Sequence, residues 1–425
     1  KISQQIEKEK ELGIPMIHPY KLKSNPAEII PAVILCALSV IICLNPFKDI
    51  LNLTEICFYI ALIFAFVMFF IRRNKFDLSE PLRLPFLLFV LWAIASIAWA
   101  VEWKNTLHDL YPRLIKFIIL YYLLILVVNT RRHFIYLVYI LIASTSLFAL
   151  GSLLYVYCIQ VNSLLFQLTL DHISANHIGE ICLFAALLSV IALSFAEKWP
   201  QRIVLVLCFS SNLIAILLTY SRSSLLALAI GTCVLIYFSK FKKTFAVAFS
   251  IILVSVIFLA NTDSMFKAKL SSTAIFQEAR IAIFATALEM IKDRPLNGFG
   301  FDAKVFGNNM VKYNQRLSPK YSFPQIGHTH NVFLDITIRL GLIGLGLFLF
   351  ILFRVFRMAR ELINAGEDAF IHKWGAGLTA CLVAILVAGL FENILAKRIS
   401  MILYITIAMI TILWKLHRLE THNSL

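Results

Sequence analysis

The most constraining feature of this sequence is its long apolar runs, which carry no charge over lengths close to the thickness of a bilayer. Ile203–Leu218 is one example, and similar runs recur along the 425 residues. Hydrophobic residues make up 60% of the chain and charged residues 15%, whereas a soluble domain is about 45–50% apolar and about 25% charged. A soluble enzyme, a disordered chain and a disulfide scaffold are therefore excluded.

The runs predict helices that cross a membrane. A spanning helix needs about 20 apolar residues, and the strands of a membrane β-barrel would alternate polar and apolar residues, which these runs do not. We predict an all-α polytopic membrane protein with about 12 transmembrane helices. The predicted spans are 29–45, 53–71, 84–101, 110–128, 134–156, 178–196, 203–219, 224–239, 244–260, 331–353, 375–394 and 399–416.

Lys and Arg in the short loops predict how the chain is oriented. They concentrate on the side of the N-terminal tail, for example at 72–83, 240–243 and 354–373, and are sparse in the opposite loops. We therefore expect both termini in the cytoplasm. The same bias accounts for most of the net charge of +15, so nucleic acid is not an expected partner.

The longest connection lies between the ninth and tenth spans and divides the chain into three parts. We predict an N-terminal part of tail and nine spans (1–260), an outer, periplasmic loop domain (261–330) and a C-terminal part with three spans (331–425). Apolar residues at helical spacing between Ile275 and Ile291 predict an amphipathic helix in the loop. We expect the loop to be folded over the bundle.

Two arginines of the predicted outer face are candidates for binding an anion. Arg222 follows Tyr220 in a hairpin between the seventh and eighth spans, on the side where arginine is disfavoured. It is either an interface anchor or a fixed guanidinium, whose planar fork matches phosphate oxygens. Arg280, near the apolar edge of the loop helix, is either a solvated side chain or a second such group.

Two histidines at the seam between the loop and the tenth span are candidates for acid–base chemistry. His328, His330 and Asn331 are close in sequence, and histidine is well suited to be a general base near neutral pH. A His-x-His pair can also bind metal, but neither a third ligand nor an acidic partner is evident nearby. Acidic residues are also sparse in the first outer loop, so we predict a reaction without metal or other cofactor.

Charged residues within apolar spans are costly and are usually paired or functional. Asp335 and Arg339 are one helical turn apart on the tenth span, so we predict an ion pair between them. Asn176 and His177, at the mouth of the sixth span, could line the same cleft as the histidines, and Glu180 on that span has no evident partner in the sequence.

The pair His330-Asn331, nine further residues and the segment Gly341–Gly344 form the pattern H-N-x9-G-x-x-G. This pattern resembles that of the bacterial O-antigen ligases, which share a superfamily with O-antigen polymerases and pilin-type O-oligosaccharyltransferases. Arg222 and Arg280 stand where that family keeps two functional arginines. The length, the number of spans and the large outer loop also agree with the family.

The resemblance implies a GT-C-like glycosyltransferase of the Gram-negative inner membrane, with its active site facing the periplasm. Its donor would be O-antigen on undecaprenyl diphosphate, its acceptor lipid A–core oligosaccharide and its product lipopolysaccharide, all handled among membrane lipids. His330 would be the general base, and Arg222 and Arg280 would bind the donor diphosphate. The implied supporting residues are His328, Asn331, Glu392 and Tyr220, Glu392 matching an acidic position that could orient the histidine or a sugar.

Three alternatives remain open on the sequence. A polysaccharide polymerase would use a second lipid-linked glycan as acceptor, and a protein O-oligosaccharyltransferase would be expected to have a sizeable C-terminal extension. A lipid-glycan transporter or flippase would predict broken helices in pairs, internal symmetry and charges near the midplane. The polar residues instead collect at one face, which favours an enzyme acting at the membrane boundary.

Overall fold

The computed structural model describes residues 26–47, 51–71, 80–160, 167–170, 173–238, 242–262, 274–317, 327–366, 368–395 and 397–423. Nearly all of these residues are helical, and the described ranges contain no β-strand beyond one isolated bridge between Leu170 and Ile173. The all-α prediction is therefore confirmed.

The described part of the chain forms α-helices connected by short turns. In chain order they are α1 (Pro26–Leu44), α2 (Leu51–Ile71), α3 (Arg83–Ala95), α4 (Trp103–Leu110), α5 (Lys116–Val127), α6 (Arg131–Leu153), α7 (Ala175–Leu193), α8 (Trp199–Leu218), α9 (Arg222–Phe238), α10 (Lys242–Thr262), α11 (Ala274–Asp293), α12 (Val305–Asn314), α13 (Val332–Asn364), α14 (Ala369–Ala388) and α15 (Lys397–Asn423). Short 3₁₀ or π turns extend α3, join α4 to α5 and extend α6.

Eight helical stretches in the described ranges are long and apolar enough to cross a membrane. They are Asn52–Ile71, Trp103–Val127, Arg131–Ile159, Ala175–Leu193, Trp199–Leu218, Val332–Asn364, Ala369–Ala388 and Ile399–Thr421. Three apolar helices are shorter: Ile29–Leu44, Arg83–Trp99 and Arg222–Phe238. Together with α10, these stretches coincide with the predicted spans, so the chain is a polytopic membrane protein.

Burial within the bundle is uneven in the way that a lipid environment requires. Helices α7, α14 and α15 are buried over most of their length and pack against one another. The outer helices expose large apolar side chains, among them Phe66, Leu207 and Val254. Such extensive exposed apolar surface is unfavourable in water but matches hydrocarbon.

The described part of the loop between α10 and α13 is largely helical and packs on the bundle. Helix α11 coincides with the predicted amphipathic helix, and it contacts both α12 and α13. A small apolar core, separate from the main one, joins these elements through side chains that include Ile283, Met290, Phe306 and Ile338. This core fixes α11 beside the first turns of α13.

Helix α13 is broken at Gly341, so the prediction of a continuous span over 331–353 is wrong at this point. Gly341 has φ 69° and ψ −174°, a conformation that is essentially restricted to glycine. The first segment of α13 is short and carries Asp335 and Arg339, whereas the second continues to Asn364. A break leaves backbone groups of both segments without helical partners.

The turn at 295–300 enters this break and supplies the missing partners. Four backbone hydrogen bonds do so: Phe299 N–H to Ile338 O (2.9 Å), Gly300 N–H to Arg339 O (2.9 Å), Leu342 N–H to Pro295 O (2.8 Å) and Ile343 N–H to Leu296 O (3.3 Å). The Trp92 indole adds a fifth, donating to Leu340 O at 2.8 Å. These hydrogen bonds attach the loop to the bundle at the break in α13.

Helix α14 ends at Ala388 rather than near residue 394, which corrects the predicted span 375–394. Gly389 caps the helix by donating its N–H to Ile385 O, and its own carbonyl accepts the Val332 N–H at 2.8 Å. The chain from Gly389 to Leu395 is consequently a turn segment that lies against the start of α13. Glu392 therefore belongs to this turn and not to a helix.

Candidate active site

The His-Asn pair is held at the N-terminus of α13 by helix capping. The Asn331 side chain accepts hydrogen bonds from the N–H groups of Phe333 (2.9 Å) and Leu334 (3.0 Å), and its amide donates to Leu390 O (3.2 Å). Asparagine is among the best residues for this role. His330, immediately before the cap, has φ 50°, a value that non-glycine residues adopt rarely and often at functional sites.

The His330 imidazole faces the Glu392 carboxylate. Its Nδ1 lies 3.0 Å from Oε1 and 2.9 Å from Oε2 of Glu392, and Asn176, at the start of α7, donates to Oε1 at 2.9 Å. Burial raises the pKa of Glu392, but the hydrogen bond and charge of His330 and the Asn176 amide lower it to about 2. The carboxylate is therefore a permanent negative charge that orients the ring.

His328 lies beside this pair. The His328 and His330 rings are 4.1 Å apart between centroids, and His328 Nε2 is 3.9 Å from Glu392 Oε2. Burial and the neighbouring His330 lower the pKa of His328, and Glu392 opposes this shift. The His-x-His pair thus has an acidic partner in Glu392, which is distant from it along the chain.

Arg280 approaches the same place from α11. Its guanidinium lies 5.6 Å from the centroid of the Phe391 ring, and Phe391 directly precedes Glu392. Partial burial lowers the pKa of Arg280, the positive charge of Arg222 lowers it further, and the charge of Glu392 raises it. Arg280 therefore lies within electrostatic range of both Arg222 and Glu392.

Arg222 is the first residue of α9, and a cluster of hydroxyl groups fixes its position. Ser221 caps the helix, with its Oγ accepting from the Ser224 N–H at 3.4 Å, and Ser221 Oγ also lies 3.1 Å from Ser223 Oγ. The preceding Tyr220 is buried and has φ 51°. The arginine itself is exposed, so a helix N-terminus and a free guanidinium face the same space.

A buried ion pair supports the turn that carries Glu392. Arg339 Nη2 lies 2.8 Å from Asp335 Oδ2, and both side chains are almost fully buried, which confirms the predicted pair. The side chain of Asn393, the residue after Glu392, lies close to Asp335. Removing one member of such a pair would leave a buried charge uncompensated, so we assign these residues a structural role.

Glu180 is the buried acid that the sequence left without a partner. Neither of its carboxylate oxygens has a hydrogen-bond partner among the described residues, and it lies within electrostatic range of Glu392. It is one turn from Asn176 on α7.

The structure brings the predicted site residues together at one end of the bundle. His328, His330 and Glu392 form a compact group with Asn176, and Arg222 and Arg280 lie near it. The same three His and Glu side chains could hold a metal ion, since their potential ligand atoms lie within 4.8 Å of one another. The sequence did not predict that Phe391 lies beside Arg280, because an aromatic residue next to an acidic one is not a distinctive pattern.

A polytopic helical membrane protein with a carboxylate-oriented histidine and two arginines at one end of its bundle is suited to chemistry on an anionic, lipid-anchored molecule. Residues 203–349 match the family model described as O-antigen ligase, so this region of the chain is similar to the O-antigen ligase superfamily. The match includes Arg222, Arg280 and His330 but not Glu392. A comparison with curated proteins finds no match.

Members of this superfamily are ligases and polymerases of glycosyltransferase type. The matched region is therefore similar to that of membrane enzymes that act on lipid-linked glycans.

Proposed function

We propose that the chain is an O-antigen ligase that transfers a glycan from undecaprenyl diphosphate to a sugar hydroxyl of lipid A–core. The observation that carries this proposal is the convergence of the His330–Glu392 pair with Arg222 and Arg280, in a chain whose matched region is O-antigen ligase-like. A base and a diphosphate site are the two parts that such a transfer requires. The reaction would take place at the periplasmic face of the inner membrane.

The base would be His330 Nε2. A proton on Nδ1 donated to Glu392 leaves Nε2 unprotonated, so the acidic partner selects the tautomer that can accept a proton. Nε2 would remove the proton from the acceptor hydroxyl as its oxygen bonds to the anomeric carbon of the donor. General-base assistance of this kind contributes about 10²- to 10⁴-fold in rate.

The leaving group would be the lipid diphosphate. As the bond between the anomeric carbon and the phosphate oxygen breaks, negative charge develops on that oxygen. The guanidinium groups of Arg222 and Arg280 would neutralise it, with Arg222 aided by the N-terminus of α9. Such contacts strengthen where water is partly excluded, and diphosphate is a good leaving group, so a general acid is not required.

Reconstitution tests the proposal. The purified protein would be combined in lipid vesicles with an undecaprenyl-diphosphate-linked O-antigen and with lipid A–core, without nucleotide and in the presence of a chelator. We expect lipid A–core to acquire the glycan and free undecaprenyl diphosphate to appear. A longer lipid-linked glycan with unmodified lipid A–core would instead identify a polymerase.

The two arginines lead to a prediction about how the donor diphosphate is bound. Arg222→Ala and Arg280→Ala should each lower kcat/KM for the lipid-linked donor by about 10- to 100-fold, as expected for the loss of hydrogen bonds to a charged group. Lysine at either position should restore little, because an ammonium cannot form two parallel hydrogen bonds to phosphate.

Arg316→Ala is the matched control for this prediction. Arg316 lies in the same loop as Arg280 but pairs with Asp293 at 2.8 Å, so its removal should leave donor use close to the wild-type value. Full rescue by lysine at Arg222 and Arg280 would mean that only net charge matters and would contradict bidentate binding.

A further inference from the structure

Three potential metal ligands lie close together in the proposed site. His328, His330 and Glu392 each offer one ligand atom, and these atoms lie within 4.8 Å of one another. Two imidazoles and one carboxylate form a donor set typical of zinc sites that keep a fourth position open. The group is partly accessible, since the side chains of His328 and His330 are 42% and 30% exposed.

The distances are close to those that a zinc ion requires. With Zn–N and Zn–O bonds of about 2.0–2.2 Å, tetrahedral ligand atoms lie about 3.4 Å apart. His330 Nδ1 is 2.9 Å and His328 Nε2 is 3.9 Å from Glu392 Oε2, so the observed values lie on both sides of that separation. Small rotations of the two rings would suffice to complete the geometry.

The hydrogen bonds of the Glu392 carboxylate are also typical of a metal ligand. Glu392 Oε1 accepts the Asn176 amide at 2.9 Å, which fixes the carboxylate and leaves Oε2 directed toward both histidines. Partners of this kind around metal ligands orient them, and their removal typically lowers metal affinity by about 10- to 100-fold. Asn176 is therefore positioned to act as such a partner.

The nearby positive charges limit the affinity. Arg280 lies within electrostatic range of Glu392, and Arg222 lies within range of Arg280, so both positive charges oppose the binding of a divalent cation. Since only Glu392 contributes negative charge to the ligand set, we expect weaker binding than at a zinc site without such neighbours.

We propose that His328, His330 and Glu392 form a Zn²⁺ site whose occupation blocks glycan transfer. A metal ion there separates His330 from Glu392 and removes the hydrogen bond that selects the reactive tautomer. The blocking part of this inference rests on the proposed function, whereas the binding part does not. The ion is an inhibitor in this proposal and not a cofactor, so chelation should not reduce transfer.

Direct binding to the full-length protein tests the site. Metal-free protein in lipid nanodiscs would be titrated with Zn²⁺ against a fluorescent chelator. We expect one Zn²⁺ per chain, with affinity lowered at least about 10-fold by His328→Ala, by Glu392→Gln and, through the support of the carboxylate, by Asn176→Ala. His108→Ala removes an exposed histidine outside the group and should leave the affinity unchanged.

Cobalt distinguishes this group from the eight cysteines of the chain. Co²⁺ bound by imidazole and carboxylate should show visible absorption bands without the near-ultraviolet band of a thiolate ligand. Thermal unfolding of each variant shows whether it is folded. Wild-type affinity in all three variants, or a thiolate band, would overturn the site.

The transfer assay tests the blocking. Zn²⁺ above its dissociation constant should abolish transfer and a chelator should restore it. Stoichiometric binding at these residues with undiminished transfer would overturn the blocking. Absence of transfer under every condition would contradict the proposed function, and the binding titration would still decide whether the Zn²⁺ site exists.

Discussion

Replacing His330 with alanine is expected to lower the rate of glycan transfer by about 10²- to 10⁴-fold. The expectation follows from the tautomer that Glu392 selects, because His330 Nδ1 lies 2.9 Å from the Glu392 carboxylate whereas His328 Nε2 lies 3.9 Å from it. The measurement is single-turnover transfer to lipid A–core by the purified variant, with expression and thermal unfolding compared with those of the wild type.

Two further variants show whether the loss comes from the base. His108→Ala removes an exposed histidine elsewhere and should retain wild-type transfer. Glu392→Gln should lower kcat while leaving KM for the donor nearly unchanged, since this side chain acts by positioning His330. Wild-type rates in a folded His330→Ala variant would remove the histidine from the mechanism.

Part of this site was predictable because its residues carry their own signals. His330 and Asn331 belong to a local motif, and Arg222 lies in a connection that the charge bias predicts to face outward, where arginine is disfavoured. The Glu392 contact was anticipated only loosely. It depends on a turn after α14 meeting the start of α13, and the Asn176 contact depends on a third helix, so no local pattern could predict either distance.

The helices were predictable for a similar reason. Hydropathy determines which segments cross the lipid, and each predicted span coincides with a helix. It does not determine where a helix is interrupted, because Gly341 lies within an uncharged apolar run. The break depends on hydrogen bonds with the 295–300 turn, which is distant in sequence, and the early end of α14 depends on the contact between Gly389 and Val332.

The break in α13 leads to the second large effect. Gly341→Ala should destabilise the protein by about 3 kcal/mol or more, because a side chain at φ 69° and ψ −174° is strained and its Cβ would overlap the Leu296 carbonyl. The turn would leave the break, and the backbone groups at Ile338 and Arg339 would lose their partners. Thermal unfolding in nanodiscs and the yield of monodisperse protein measure this loss.

Gly346→Ala is the matched control, on the same helix. Gly346 is helical, and among the described residues no atom outside the adjoining helix backbone lies within 4 Å of the position that its Cβ would occupy, so alanine should be neutral or stabilise the helix by up to about 1 kcal/mol. A large loss at Gly341 with none at Gly346 would identify the inserted turn, rather than helix propensity, as the cause. Equal stability of the two variants would mean that the 295–300 turn does not maintain the break in α13. The position of His330 at the start of α13 would then not depend on this turn.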